Sequence, residues 1–210
     1  MCFSAQASFG AASILTVIGI ITLKKTFYKK RYEAFPFASV PSLFAIQQFI
    51  EGIVWVSATN SQYHNYLQPA AYGFLFFAFF LWPIWIPLSL YYVELNSIRK
   101  NILSIALGIG VTVSTGLAYL AWIYGISSSI SCSHIAYAIN LPPIPHWWAL
   151  ACYLVATIIP FFISTRRKAW FFGVLMVLSV AVTMWFYSVH FTSVWCFFAA
   201  LLSIVIYYYV

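Results

Sequence analysis

The chain has 210 residues, of which 64% are apolar and 6% charged, with no Asp and a net charge of +7. A soluble domain carries roughly a quarter charged residues, so a soluble enzyme or signalling domain is excluded and an integral membrane protein is expected. The positive charge sits in three short stretches and not on an aromatic-interleaved soluble surface, which excludes nucleic-acid binding.

Cys2 lies in a short N-terminal tail with no basic stretch and no small-residue cleavage site, so the first apolar run is expected to be a retained helix and not a signal peptide. That run covers about Ser8–Leu23, and Lys24, Lys25, Lys29, Lys30 and Arg31 follow it. The second covers about Phe35–Val56 and holds Gln47, Gln48 and Glu51. The third, about Pro69–Val93, contains Pro83 and Pro87, which remove backbone donors and are expected to bend it. Arg99 and Lys100 precede the fourth, about Ile102–Tyr124, whose Gly108, Gly110, Ser114, Thr115 and Gly116 suit close helix contact. The connection from Gly125 to Pro145 carries Cys132, His134 and Tyr137 and is the longest, with room for structure of its own. The fifth run, about His146–Thr165, ends at Arg166, Arg167 and Lys168. The sixth is about Ala169–Val189 and the seventh about Ser193–Val210. The expected fold is therefore all-α: a single domain over residues 1–210, built as a bundle of seven transmembrane helices of roughly 20 residues each.

All ten Lys and Arg residues fall in alternate connections, the bias that orients polytopic proteins with basic loops in the cytoplasm. This puts the N-terminus outside and the C-terminus inside. Trp55, Trp122, Trp147, Trp148, Trp185 and Trp195 then fall near outer ends, where indoles favour the headgroup zone. Glu33 and Glu94 fall at cytoplasmic ends. All four histidines (His64, His134, His146, His190) and all four cysteines (Cys2, Cys132, Cys152, Cys196) belong to the outer side.

Glu51 is the acid inside a span, roughly 8 Å below its outer end at 1.5 Å per residue. Placing an acid in hydrocarbon costs about 2.5–3.5 kcal/mol on insertion scales, so it is expected to face the bundle interior with a partner. Gln47 and Gln48, four and three positions earlier, form a polar stripe with it. Two readings stay open: helix-to-helix glue, or a metal, proton or substrate role. Cys132 and His134 in a loop can present thiolate and imidazole to zinc, copper or iron, or Cys132 can pair with Cys2 as an oxidised staple. Ser179, Thr183, Tyr187 and His190 form a polar stripe on the sixth run. Cys196 and Ser203 do so on the seventh. His146 and Cys152, six apart, point about 120° from each other, and Cys152 reads as core. A retinal protein is excluded because no Lys follows Lys168.

Several segments together resemble an uncharacterised family of small bacterial membrane proteins. They are Met1–Ser4, Ala7–Phe9, Gln47-Gln48-x-x-Glu51-Gly52, His134-Ile-x-Tyr137 and Thr192–Ala200. The resemblance spans the chain and implies a multi-pass protein of the bacterial cytoplasmic membrane, with no established activity or cofactor. Cys2, Glu51, His134 and Cys196 lie inside the matching segments.

The leading expectation is an outer-half site that binds a transition metal (zinc, copper or iron) through Cys2, Glu51, His134, Cys196 and His190. Glu51 and Tyr137 are the candidate catalytic groups. The metal would serve chemistry on a small lipophilic substrate or be handled itself. The alternatives are a proton-coupled transporter using Glu51, and a non-catalytic subunit or sensor with outer disulfides.

Overall fold

The computed structural model describes residues 4–131, 134–142 and 147–209. Seven helical segments make up nearly all of it: α1 (Ala5–Tyr28), α2 (Tyr32–Thr59), α3 (Ser61–Val93), α4 (Ser97–Tyr124), α5 (Trp147–Ile163), α6 (Arg167–Phe186) and α7 (Ser188–Tyr208). Six of them are long and apolar enough to cross a membrane; the 17-residue α5 is shorter. Exposed Ile14, Val17, Ile105 and Leu178 give the bundle an apolar outer surface, as lipid contact requires and water would not tolerate.

The helices begin and end where local chemistry dictates. Ser4 Oγ accepts from Ala7 N (3.2 Å) and caps α1. Asn96 Oδ1 does the same for Arg99 N (3.1 Å) at the start of α4. Gly125, at φ +70°, stops α4 in a backbone conformation that only glycine adopts freely.

An antiparallel hairpin follows, a single strand pair added to the expected helical fold. β1 (Ile126–Ser131) pairs with β2 (His134–Ile139), with Ile126 opposite Ile139 and Ser128 opposite Tyr137. Alternation turns Ile126, Ile135 and Tyr137 inward, where all three are buried. Gln68 Nε2 donates to the Ile126 carbonyl (3.1 Å) and ties the hairpin to α3. The sequence marks this segment as a connection with room for structure, and the structure it holds is this hairpin.

Where a bend in α3 is expected, the helix changes its hydrogen-bond pattern. Phe76–Leu81 is a π-helical segment directly before Pro83. Trp82 N bonds to the Phe77 carbonyl five residues back, so in that pattern residue 83 would serve Ala78. Proline has no N–H to offer, and Tyr153 Oη on α5 donates to the Ala78 carbonyl instead (2.7 Å). Ser114 Oγ on α4 serves the Phe80 carbonyl (2.9 Å). Pro87 likewise releases the Pro83 carbonyl, which lies so close to Gly110 that any Cβ there would collide with it. Gly110 and Ser114 are thus the small residues of α4 that make the contact. Gly108 and Gly116 face open space.

The three basic stretches meet at one end of the bundle. Lys25 Nζ donates to the Tyr207 carbonyl (2.9 Å), Lys168 Nζ to the Tyr208 carbonyl (2.7 Å) and Arg99 to the Ile163 carbonyl (2.6 Å). Glu94 clamps the same end, accepting from Thr165 N (2.7 Å), Thr165 Oγ1 (2.9 Å), Leu95 N and Asn96 N. At the opposite end, Trp122, Trp147, Trp148 and Trp185 are exposed as expected, but Trp55 and Trp195 are buried. Both face the bundle axis, and the Trp195 indole donates to Ser179 Oγ (3.1 Å). The Phe74–Phe80 run is mixed: Phe74 is fully buried and Phe76 half exposed.

Candidate functional site

Glu51 sits on the face of α2 that carries Gln47 and Gln48, and all three side chains are at most 2% exposed. Their three- and four-residue spacing places them one above another on a helix. Gln48 Nε2 donates to Glu51 Oε2 (3.0 Å). Ser193 Oγ, from the first turns of α7, donates to Glu51 Oε1 (2.5 Å). Gln47 Oε1 accepts from the Trp82 indole (2.8 Å). The carboxyl therefore has a hydrogen-bond donor on each oxygen, one from its own helix and one from α7.

Cys196 follows Ser193 by three positions, so the same face of α7 brings both to Glu51. Its thiol is buried, free, and close enough to Glu51 to interact electrostatically. The Gln47 amide faces the Cys196 sulfur, yet Gln47 Nε2 has no partner of adequate geometry among the described residues.

The hairpin closes the site from the end opposite the basic stretches. Tyr137 stacks on Phe74 (centroids 4.7 Å apart) within a cluster that includes Val54, Trp55, Ile126, Ile135 and Cys196. Burial, with the Glu51 carboxylate second, holds the Tyr137 hydroxyl well above the usual tyrosine range, so it stays protonated. The Tyr137 hydroxyl, Ser128 Oγ opposite it and Gln48 Oε1 are buried without partners among the described residues. Buried polar atoms are almost always satisfied, and each one left unpaired costs free energy.

His134 goes elsewhere. It is three residues from Tyr137 on a strand, and an odd separation puts the two on opposite faces. Its ring lies 5.1 Å from that of His190 and 5.0 Å from that of Tyr187. Here the polar stripe of α6 runs past the helix end and meets the hairpin. The structure thus divides the expected residues into two groups: Glu51, Cys196 and Tyr137 below the hairpin, and His134 and His190 at its edge. Among the described residues no three of His, Cys, Asp and Glu lie together as one metal ion requires. Cys2, Cys132 and His146 lie outside the described residues. His64 is exposed in the turn that opens α3. Cys152, expected in the core, is half-buried along a crevice with Gly108, Gly116 and Trp148.

An apolar cavity of about 190 Å³ reaches the site between α3, α4, α5 and α7, lined by Phe79, Leu117, Leu150, Phe191, Trp195 and Cys196. Beyond Tyr153, Trp195 and Cys196 lies a void of about 30 Å³, room for a water or two. Anything larger stops at Cys196.

A family model described as a family of unknown function (DUF6629) matches residues 1–210. The chain belongs to that family. No curated protein and no solved structure matches it.

Sequence reasoning did not single out Ser193, Trp82 or Tyr153. The i, i+3 step from Ser193 to Cys196 was a usable signal for the first. The other two act through backbone distortion and cross-helix distance, which no local pattern carries.

Proposed function

We propose that this is a seven-crossing protein of the bacterial cytoplasmic membrane, N-terminus outside, whose outer-half site binds the polar head of a membrane-soluble ligand at Glu51. Glu51 accepts and returns a proton on that head, and Tyr137 donates a hydrogen bond to it. The convergence of the three basic stretches at one end supports the orientation. At 1.5 Å per residue the described 17 residues of α5 alone cover about 25 Å, close to a hydrocarbon core of about 30 Å.

The observation that carries the reading is the set of unpaired buried polar atoms at Gln47, Gln48 and Tyr137, beside an apolar cavity that ends at Cys196. Polar groups awaiting partners, next to a dry slot, suit an amphiphile whose tail fills the slot. The test is mass spectrometry of lipophiles extracted from purified wild type and Glu51→Ala. A hydrogen bond to a charged group contributes about 1.5–3 kcal/mol. The expected result is therefore an amphiphile bound near one per chain and retained at least about tenfold less by the variant. Identical extracts refute the reading.

One observation favours a second reading in which the edge of the hairpin, apart from Glu51, holds zinc, copper or iron. The His134 and His190 rings, 5.1 Å apart, are spaced as two imidazoles on one metal ion can be. Elemental analysis of the reduced full chain decides it, since a stoichiometric metal lost in His190→Ala supports a centre and its absence from wild type excludes one.

A further inference from the structure

At the basic end, a second cleft of about 210 Å³ opens between α2, α6 and α7. Phe37, Phe171, Phe172 and Ile206 wall it, and Arg167 and Lys168 stand at its rim. Lys168 is anchored there by its bond to the Tyr208 carbonyl (2.7 Å), while Arg167 is exposed.

Among the described residues, no side-chain carboxylate pairs with the cations at this rim. The protein has three acids, and each is committed elsewhere. Glu33 pairs with Arg31 (3.5 Å). Glu94 is clamped on the Thr165, Leu95 and Asn96 donors. Glu51 is bonded to Gln48 and Ser193. Arg167 and Lys168, which line an apolar cleft and have no described side-chain carboxylate paired with them, complement a phosphate carried on hydrocarbon chains. Arg presents a planar fork matched to phosphate oxygens, and the phenylalanine walls take acyl chain.

We propose that this cleft is a binding site for one anionic phospholipid, its phosphodiester held by Arg167 and Lys168 and an acyl chain lying against Phe171 and Phe172. The site is independent of the one at Glu51.

Native mass spectrometry of the purified full chain, titrated with phosphatidylglycerol or phosphatidylcholine, tests this. A cation near an anionic lipid surface is worth roughly a fivefold change in affinity. Wild type should retain one phosphatidylglycerol in preference to phosphatidylcholine. Arg167→Gln should bind it about fivefold more weakly, and Arg167→Lys should restore part of the loss. Lys100→Gln, at the same end but over the Tyr91 ring (5.2 Å) and away from the cleft, should bind as wild type does. Equal losses in Arg167→Gln and Lys100→Gln would reduce the effect to general charge and overturn the site. Indifference to headgroup, or full displacement by inorganic phosphate, would overturn it as well. Because Arg167 is exposed, an unchanged unfolding midpoint will show that the variant is folded.

Discussion

Substitution of Tyr153 by Phe removes one hydroxyl and keeps the ring, including its edge-on contact with Trp195 (centroids 5.7 Å apart). What disappears is the donor to the Ala78 carbonyl at 2.7 Å. That carbonyl has no helical partner because Pro83 stands where the i+5 donor of the π segment would be. Leaving a buried acceptor unpaired costs about 1–3 kcal/mol in soluble proteins. Polar contacts between helices in membranes average about 0.6 kcal/mol and reach about 1.7. Those averages include groups that find other partners, so this carbonyl belongs near the top of the range, at about 1.5 kcal/mol. Equilibrium unfolding in detergent, followed by tryptophan fluorescence, measures it. The sharper test is a cycle with Pro83→Ala, which returns an N–H able to reach Ala78. In that background the cost of Tyr153→Phe should fall by at least about half. An equal cost in both backgrounds refutes the account of α3, and so does a single variant indistinguishable from wild type.

Three further outcomes are expected, two from the same helix contact and one from the basic end. Gly110→Ala drives a Cβ into the Pro83 carbonyl and should destabilise by about 1–3 kcal/mol. Gly108→Ala, with open space around it, should stabilise by about 0.5–1 kcal/mol, as unfolding midpoints in detergent will show. Burial alone would raise the Glu94 carboxyl, but the donors of Thr165, Asn96 and Leu95 outweigh it and hold it below the usual range. Its contribution is then fully present above an ordinary glutamate pKa of about 4.3 and is lost as pH falls through the depressed value. Unfolding midpoints should drop through that acid window in wild type and more shallowly in Glu94→Gln.

Much of this is legible in the sequence. The apolar runs and basic connections placed all seven helices, and the burial cost of a carboxylate singled out Glu51 with Gln47 and Gln48 on its face. The shared end of Glu51, Cys196 and Tyr137 also followed from sidedness. The hairpin did not, because Ile126–Ser131 and His134–Ile139 are too short and too serine-rich to announce strands beside such strong helical signals. The separation of His134 from Tyr137 followed from that same omission, since a strand puts residues three apart on opposite faces while a loop leaves the question open. Trp55 and Trp195 were placed at the headgroups because position along a span is legible in sequence, whereas rotation about it is weakly encoded where nearly every residue is apolar. The prolines of α3 announce lost backbone bonds, but the π segment and its borrowed donors depend on Ser114 and Tyr153, which are 34 and 75 residues away from the carbonyls they serve.

The roof formed by Ile135 and Tyr137 has a consequence for traffic. On the proposed reading, a ligand reaches Cys196 through the apolar cavity between α3, α4, α5 and α7 and not past the hairpin side chains Ile135 and Tyr137, which are buried in the same cluster as Cys196. Oil–water partitioning would then act as the first selectivity filter, sorting visitors by lipophilicity before any side chain reads their shape.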